Sequence, residues 1–201
     1  MRVLLIDNKD SFVFNLAEAF ARLGSEIAVV RNTEDAASVI ADASATGSLI
    51  VLSPGPGRPE DAGCTIPVLR LAQKKIPVFG VCLGHQAMVL QAGGIVEGAG
   101  EIVHGKASRL YHDGLGPLAG LPSPMAVGRY HSLCTRVVPA RFHVHAELDG
   151  MAMVISDDTA LQSAVQFHPE SILTPEGDQI LKNVLDRAAA VLAPVKSSST
   201  P

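Results

Sequence analysis

The sequence predicts an α/β fold: one domain on a mostly parallel central sheet flanked by helices, with a smaller antiparallel β portion in its second half. Three observations predict it. Short continuous apolar runs, of the kind buried on both faces of a parallel sheet, alternate with helical stretches through the first ninety or so residues, the pattern of right-handed βαβ units. From Ile95 onward short β-type runs, separated by Asp-Gly and Pro punctuation, take over until a last helical stretch. With 201 residues, 47% of them hydrophobic, the chain is long enough for one well-buried core and short for two.

Arg2 to Ile6 is the first strand, with polar Asp7-Asn8-Lys9-Asp10-Ser11 at its carboxyl end. Asp10 or Ser11 is placed to cap a helix in which Val13, Leu16, Ala17 and Phe20 fall at i, i+3, i+4 and i+7, and Gly24 follows as a left-handed closing residue. Ile27 to Val30 makes a second strand, Thr33 starts a weaker helix through Ala36, Ala37, Ile40 and Ala43, and Leu49 to Leu52 makes a third strand. Ser53-Pro54-Gly55-Pro56-Gly57-Arg58-Pro59 is too rich in Pro and Gly for helix or strand and reads as a loop at the carboxyl edge of the sheet. A helix over about Cys64 to Lys74, with Pro67 in its first turn, leads to an apolar strand from Pro77, and Leu83 to Gln91 forms the next helix, ended by Gly93-Gly94. Ile102-Val103, Phe142 to Ala146, Met151 to Ile155 and Leu161 to Phe167 are β-type runs, with Asp149-Gly150 predicting a hairpin. Thr174-Pro175 offers an N-cap and a first-turn proline for a helix near Pro175 to Ala193. Pro194 to Pro201 reads as a disordered tail, so the domain is expected to span 1–193.

Composition excludes several function classes. Only 18% of residues are charged, the formal net charge is -4, and Lys74-Lys75 is an isolated basic pair, so neither nucleic acid nor an anionic membrane surface is an expected partner. Three cysteines, an odd number, and Met1-Arg2 running straight into an apolar strand predict a cytoplasmic chain with free thiols and no signal peptide. The longest apolar tract, Ile76 to Val96, is broken by glycines, His85, Gln86 and Gln91, so no transmembrane segment is assigned.

The chemistry centres on Gly80-Val81-Cys82-Leu83-Gly84. A strand that reverses sharply into a helix has room for almost no side chain two residues either side of the turn, and Gly-x-Cys-x-Gly is the thiol version of that elbow. Its cysteine stands at a helix N-terminus, where unpaired N–H groups favour thiolate. In Gln166-Phe167-His168-Pro169-Glu170, Pro169 keeps His168 extended, and residues i and i+2 of an extended chain face the same way. Glu170 can therefore orient one imidazole nitrogen while the other addresses a thiol, giving a Cys82, His168, Glu170 triad. The backbone N–H of Leu83 and the glycines of Gly55-Pro56-Gly57 are the candidate oxyanion donors, Pro56 having no N–H to give. Each motif also has a plainer use: a cysteine between glycines fits a small core residue, a strand-end His-x-Glu fits a structural pair, and Pro-Gly-Pro-Gly fits a turn. Cys64 and Cys134 lack an elbow and read as structural, while Asp7, Asp10 and Ser11 suit caps or a partner interface. His143 and His145 share a strand face without a third ligand at suitable spacing, so they read as a solvated strand and no metal site is assigned. A thiol hydrolase or peptidase and a catalytically silent binding subunit both remain compatible with these residues.

Taken together, Ser53-Pro54-Gly55-Pro56-Gly57, Gly80-Val81-Cys82-Leu83-Gly84-His85-Gln86, Tyr130-His131-Ser132-Leu133 and Gln166-Phe167-His168-Pro169-Glu170-Ser171 resemble the class I, triad-type glutamine amidotransferases, whose fold is flavodoxin-like. Order and spacing match along the domain. Within the family the chain is most similar to the glutaminase subunits of chorismate-using synthases, those of anthranilate synthase ahead of those of aminodeoxychorismate synthase, on Ala99 to Ser108 and Asp149-Gly150-Met151-Ala152-Met153. The resemblance implies L-glutamine hydrolysed through a thioester on Cys82 and ammonia passed to a chorismate-binding synthase subunit. It also implies that Gln86 and the backbone around Ser132-Leu133 hold the α-amino and α-carboxylate groups of glutamine, and that Gly57 with Leu83 forms the oxyanion hole. No cofactor is implied for this chain, any Mg²⁺ belonging to the partner synthase. Val13-Phe14 stands where relatives often show Thr-Tyr, a departure that leaves the triad untouched.

Overall fold

Alternation within the first strand decides the architecture: Val3 and Leu5 point one way, Leu4 and Ile6 the other, and all four are buried. Such a strand needs cover on both sides. The computed structural model describes residues 1–100 and 105–193. Its first half runs β1 (Arg2–Asp7), α1 (Val13–Arg22), β2 (Glu26–Arg31), α2 (Ala36–Thr46), β3 (Leu49–Leu52), α3 (Thr65–Ala72), β4 (Val78–Val81) and α4 (Leu83–Gln91). The second half adds β5 (Ile95–Gly98), β6 (Lys106–Leu110), β7 (Met125–Arg129), β8 (Leu133–Val137), β9 (His143–Leu148), β10 (Met151–Asp157), β11 (Gln162–Val165) and α5 (Gly177–Leu192).

One sheet has the order β2-β1-β3-β4-β11-β10-β9. Its first five strands are parallel, and β10 and β9 continue it antiparallel. The smaller antiparallel portion consists of the pairs β5-β8 and β6-β7. Leu16, Phe20, Ile180 and Val184 bring α1 and α5 onto the face carrying Val3, Leu5, Val51 and Phe79. Val39, Val68, Leu69 and Met88 bring α2, α3 and α4 onto the face carrying Leu4, Ile6, Ile50 and Leu52. Each such side chain contributes on the order of 1.5–3 kcal/mol of transfer free energy.

The helix ends show where local chemistry outran periodicity. Gly24 closes α1 as expected, with φ +83°, its N–H donating to Ala21 O and that of Ser25 to Phe20 O. At the other end neither Asp10 nor Ser11 caps the helix: Asp10 Oδ1 accepts from the Phe12 N–H in the preceding turn at 2.7 Å. The cap of α2 is Asp35, whose Oδ2 accepts from Ser38 N, and not Thr33. Thr174 is likewise drawn off as a cap for α5, because its hydroxyl donates to His168 O and accepts from Gly128 N, and the helix begins later at Gly177. Asp149 (φ +52°) and Gly150 (φ +73°) form the expected hairpin turn between β9 and β10. The short strands β5 to β8 carry too few alternating apolar positions to have been read from the sequence. The run at Ile102-Val103 and the stretch from 194 to 201 lie outside the described residues.

Candidate active site

Strand β4 ends in one strained residue. Cys82 has φ +52° and ψ -97°, a left-handed conformation that costs a non-glycine residue of order 1–3 kcal/mol, and α4 begins directly after it. The two glycines make the turn possible: a Cβ on Gly80 would lie 2.7 Å from the Gly84 carbonyl, and one on Gly84 would lie 2.6 Å from Leu52 O. The elbow is pinned at both ends, Cys82 N–H donating to Val165 O at 2.9 Å and Gln86 N–H to Cys82 O at 3.1 Å.

The histidine comes from the neighbouring strand. β11 lies parallel to β4 with Val165 opposite Val81, so the chain leaving β11 passes beside the elbow. His168 is fixed through its backbone, its N–H donating to Gly128 O and its carbonyl accepting from Thr174 Oγ1 at 2.7 Å. Its Nδ1 meets Glu170 Oε1 at 2.7 Å, and the Glu170 side chain is 0% exposed. Nε2 is buried without an acceptor at standard hydrogen-bond geometry and addresses the Cys82 thiol. Burial disfavours the imidazolium, yet hydrogen bonding and charge at Cys82 and Glu170 outweigh it, and the His168 pKa is pushed up to about 10. Phe12 and Tyr130 flank the ring, with centroids 5.3 Å and 5.0 Å from it, and Tyr130 Oη is 3.1 Å from Ser171 Oγ. The structure thus brings Cys82, His168 and Glu170 together.

The expected glutamine-holding residues gather around the same sheet edge. Gly55 packs so closely that a Cβ there would come within 2.5 Å of the Leu83 side chain, which sets the Gly55-Pro56-Gly57 loop against the first turn of α4. Pro56 and Gly57 are exposed, and Gly57 has φ +78°. Gln86 is buried, and its Nε2 donates to Leu133 O at 3.1 Å, tying α4 to the start of β8. Ser132 is exposed beside it, its carbonyl accepting from Ala99 N. Gln166 is fully buried with Nε2 3.6 Å from Cys82 Sγ, and sequence reasoning gave it no role. The signal existed: in an extended segment Gln166 shares a side with His168. Phe12 carried no signal, and Tyr130, though part of the Tyr130-His131-Ser132-Leu133 motif, was given no role; both reach the imidazole from other loops.

Elsewhere, Cys64 and Cys134 are buried free thiols whose pKa values burial pushes up, in keeping with structural roles. The expectation for His143 and His145 needs correcting. Asp113, remote in sequence, supplies a third group, its Oδ2 lying 2.7 Å from His143 Nε2 and 3.0 Å from His145 Nδ1, while His145 is buried with Nε2 against Ser156 Oγ. It is a hydrogen-bonded cluster on β9 and not a solvated strand face. A cavity of about 320 Å³ lies at the amino ends of the strands, lined by Leu49, Val78, Leu161 and Arg187, away from the triad.

A nucleophile elbow, an oriented histidine and a buried carboxylate could serve several acyl transfers, and comparison with known proteins narrows them. The family model "Glutamine amidotransferase class-I" matches residues 4–188. The chain belongs to the class I glutamine amidotransferases. Among its relatives in this family, "Anthranilate synthase component 2, pyocyanine specific" of Pseudomonas aeruginosa is 47% identical over 92% of this chain and 93% of that protein. "Anthranilate synthase component 2" of Haemophilus influenzae is 42% identical over 92% of this chain and 96% of its own length. The crystal structure of a Thermoplasma acidophilum protein described as a GMP synthase subunit superposes with a TM-score of 0.84 over 94% of each chain; at 22% identity it speaks to the fold alone. Among the described residues no helix is long and apolar enough to cross a membrane.

Proposed function

We propose that this amidotransferase is the glutaminase subunit of a cytoplasmic anthranilate synthase. The observation that carries the chemistry is the buried Nδ1–Glu170 hydrogen bond of 2.7 Å, which holds His168 with its free nitrogen toward Cys82. In the first half-reaction the thiolate attacks the side-chain carboxamide carbon of L-glutamine, and the oxyanion is met by the N–H groups of Leu83 and Gly57. The C–N bond then breaks as His168, already an imidazolium, protonates the leaving nitrogen. Ammonia departs and a γ-glutamyl thioester remains on Cys82. In the second half-reaction neutral His168 takes a proton from water, whose oxygen attacks the thioester carbon. The C–S bond breaks, glutamate leaves with its carboxyl proton passing to solvent, and the thiolate–imidazolium pair is restored. Gln86, Ser132 and Leu133 hold the α-amino and α-carboxylate groups of the substrate, while Gly55 and Pro56 shape the loop beside it.

The relatives support a choice of ammonia acceptor: two of them carry the name anthranilate synthase component 2 at 47% and 42% identity. The partner is then a chorismate-binding synthase subunit that converts chorismate to anthranilate. Cys82→Ser is the test. With the co-purified synthase, glutamine-dependent product formation should fall by at least several hundredfold while ammonia-dependent formation persists. Retained glutaminase activity in that variant would sink the triad. A co-purified synthase that makes aminodeoxychorismate instead would keep the triad and overturn the choice of partner.

A further inference from the structure

A string of buried amides ends on the nucleophile. Leu133 O accepts from Gln86 Nε2 at 3.1 Å, Gln86 Nε2 also donates to Gln166 Oε1 at 3.2 Å, and Gln166 Nε2 stands 3.6 Å from Cys82 Sγ. Amide oxygen and nitrogen look alike in outline, so the direction of such a string has to come from its ends. Here it does, because a backbone carbonyl can only accept. Leu133 O forces the NH₂ of Gln86 toward itself, the second hydrogen of that NH₂ forces the oxygen of Gln166 toward Gln86, and the NH₂ of Gln166 is left facing sulfur. Flipping either amide would set oxygen against oxygen or NH₂ against NH₂. The same carbonyl lies 2.9 Å from His131 Nδ1 and so fixes that ring with its proton on Nδ1.

We propose that Gln166 is a further catalytic residue of the glutaminase, donating an amide N–H to the Cys82 sulfur and thereby stabilising the thiolate. The proposal deepens the amidotransferase reading and rests on Cys82 being its nucleophile. His168 supplies a charge to the sulfur; Gln166 supplies a neutral donor from another side, one that does not leave when His168 gives its proton to the departing ammonia. Its position is set three times over: Gln166 N–H donates to Met153 O at 2.8 Å, its side-chain oxygen is held by Gln86, and the residue is 0% exposed. Because Gln86 and the backbone at Leu133 are expected to hold the α-amino and α-carboxylate groups of the substrate, the string also joins the substrate's recognition end to the reacting sulfur.

Of the titratable groups at this site, His168 acts on the sulfur with Glu170 behind it; His131, on the loop before β8, faces His168 and Arg129, and His85 on α4 faces His131. Burial above all lowers the pKa of His131 to about 4 and of His85 to about 3, so both stay neutral at and above neutral pH. A change in the pH profile of Cys82 reactivity therefore reports the thiol, His168 and whatever touches them.

The experiment is the pH profile of Cys82 alkylation by chloroacetamide, read by mass spectrometry, which needs neither glutamine nor a partner. Gln166→Met keeps volume and loses the donor; Gln166→Asn keeps an amide one methylene too short to reach the sulfur. Both should show the acid limb of the profile moved to higher pH by about one unit, so that below the wild-type midpoint they alkylate roughly tenfold more slowly, the scale of one hydrogen bond to a charged group. A purely structural Gln166 would change the unfolding midpoint without moving the profile. If either folded variant follows the wild-type profile, the proposal is overturned, and should Gln166→Met fail to fold, Gln166→Asn decides alone. An unreactive Cys82 in the wild-type chain would instead strike the nucleophile assignment itself.

Discussion

His85 makes the fold acid-sensitive in a way that one substitution should expose. It lies in the first turn of α4, fully buried, and neither ring nitrogen has a hydrogen-bond partner. Burial, with a smaller push from His131, lowers its pKa to about 3. A folded-state value below the unfolded value of about 6.5 means that the neutral ring's contribution is fully present above pH ~6.5 and is lost as pH falls toward the folded value. At about 1.4 kcal/mol per pH unit, the loss between pH 7 and pH 5 comes to roughly 2 kcal/mol from this residue. His131, whose pKa is lowered to about 4, adds a loss of the same sign and similar size. His85→Leu removes the first share and leaves the second. Denaturant unfolding at pH 7 and pH 5 should show the wild-type chain losing about 2 kcal/mol more than the variant over that interval. The variant should equal or exceed wild type at pH 7, since it also removes two unpartnered buried nitrogens. Parallel pH dependences would refute the reasoning, because they would mean that His85 is either solvated or partnered in the folded state.

Two further outcomes concern the elbow. Gly84→Ala sets a Cβ 2.6 Å from Leu52 O, a backbone atom that cannot rotate away, so the turn must shift; stability should drop by about 1–3 kcal/mol and glutaminase turnover should fall further than stability alone explains. His168, with its pKa pushed up to about 10, gives stability that is complete below its unfolded value near 6.5 and is lost as pH rises through about 10. An imidazole ¹⁵N titration should find that high midpoint in the native chain and a clearly lower one in Cys82→Ser; identical midpoints would show that the sulfur does not raise it.

How much of this was legible depends on whether a residue's signal is local. The nucleophile elbow could be read because its strain is local: the two small residues that permit φ +52° at Cys82 sit within two positions of it. The pairing of His168 with Glu170 was legible for the same reason, since proline and strand periodicity act on adjacent residues. Thr174 shows the opposite case. Its sequence context offers a good N-cap, but its hydroxyl is taken by His168 O and Gly128 N, partners six and 46 positions away, and a helix-capping preference of about 1 kcal/mol yields to two buried hydrogen bonds. Asp113 escaped notice because the loop carrying it reaches His143 and His145 only after β9 has joined the sheet, and the short strands β5 to β8 are held by pairing with each other more than by a periodic apolar face.

The register between β4 and β11 is what turns these local signals into a site. Val81 stands opposite Val165, so the residue after each strand, Cys82 and Gln166, emerges side by side at the carboxyl edge, and the Cys82 N–H to Val165 O bond extends the ladder one step beyond the strands. Side chains in a strand alternate, so a slip of one residue would turn Gln166 and His168 to the opposite face and carry both away from the sulfur together. Val165, 0% exposed, and Phe167, 0% exposed, occupy the intervening positions and would have to leave the core for that to happen. The apolar alternation of the strand thus protects the alignment of the polar residues between its members, and the same burial that stabilises the sheet keeps the amide of Gln166 and the imidazole of His168 aimed at one atom.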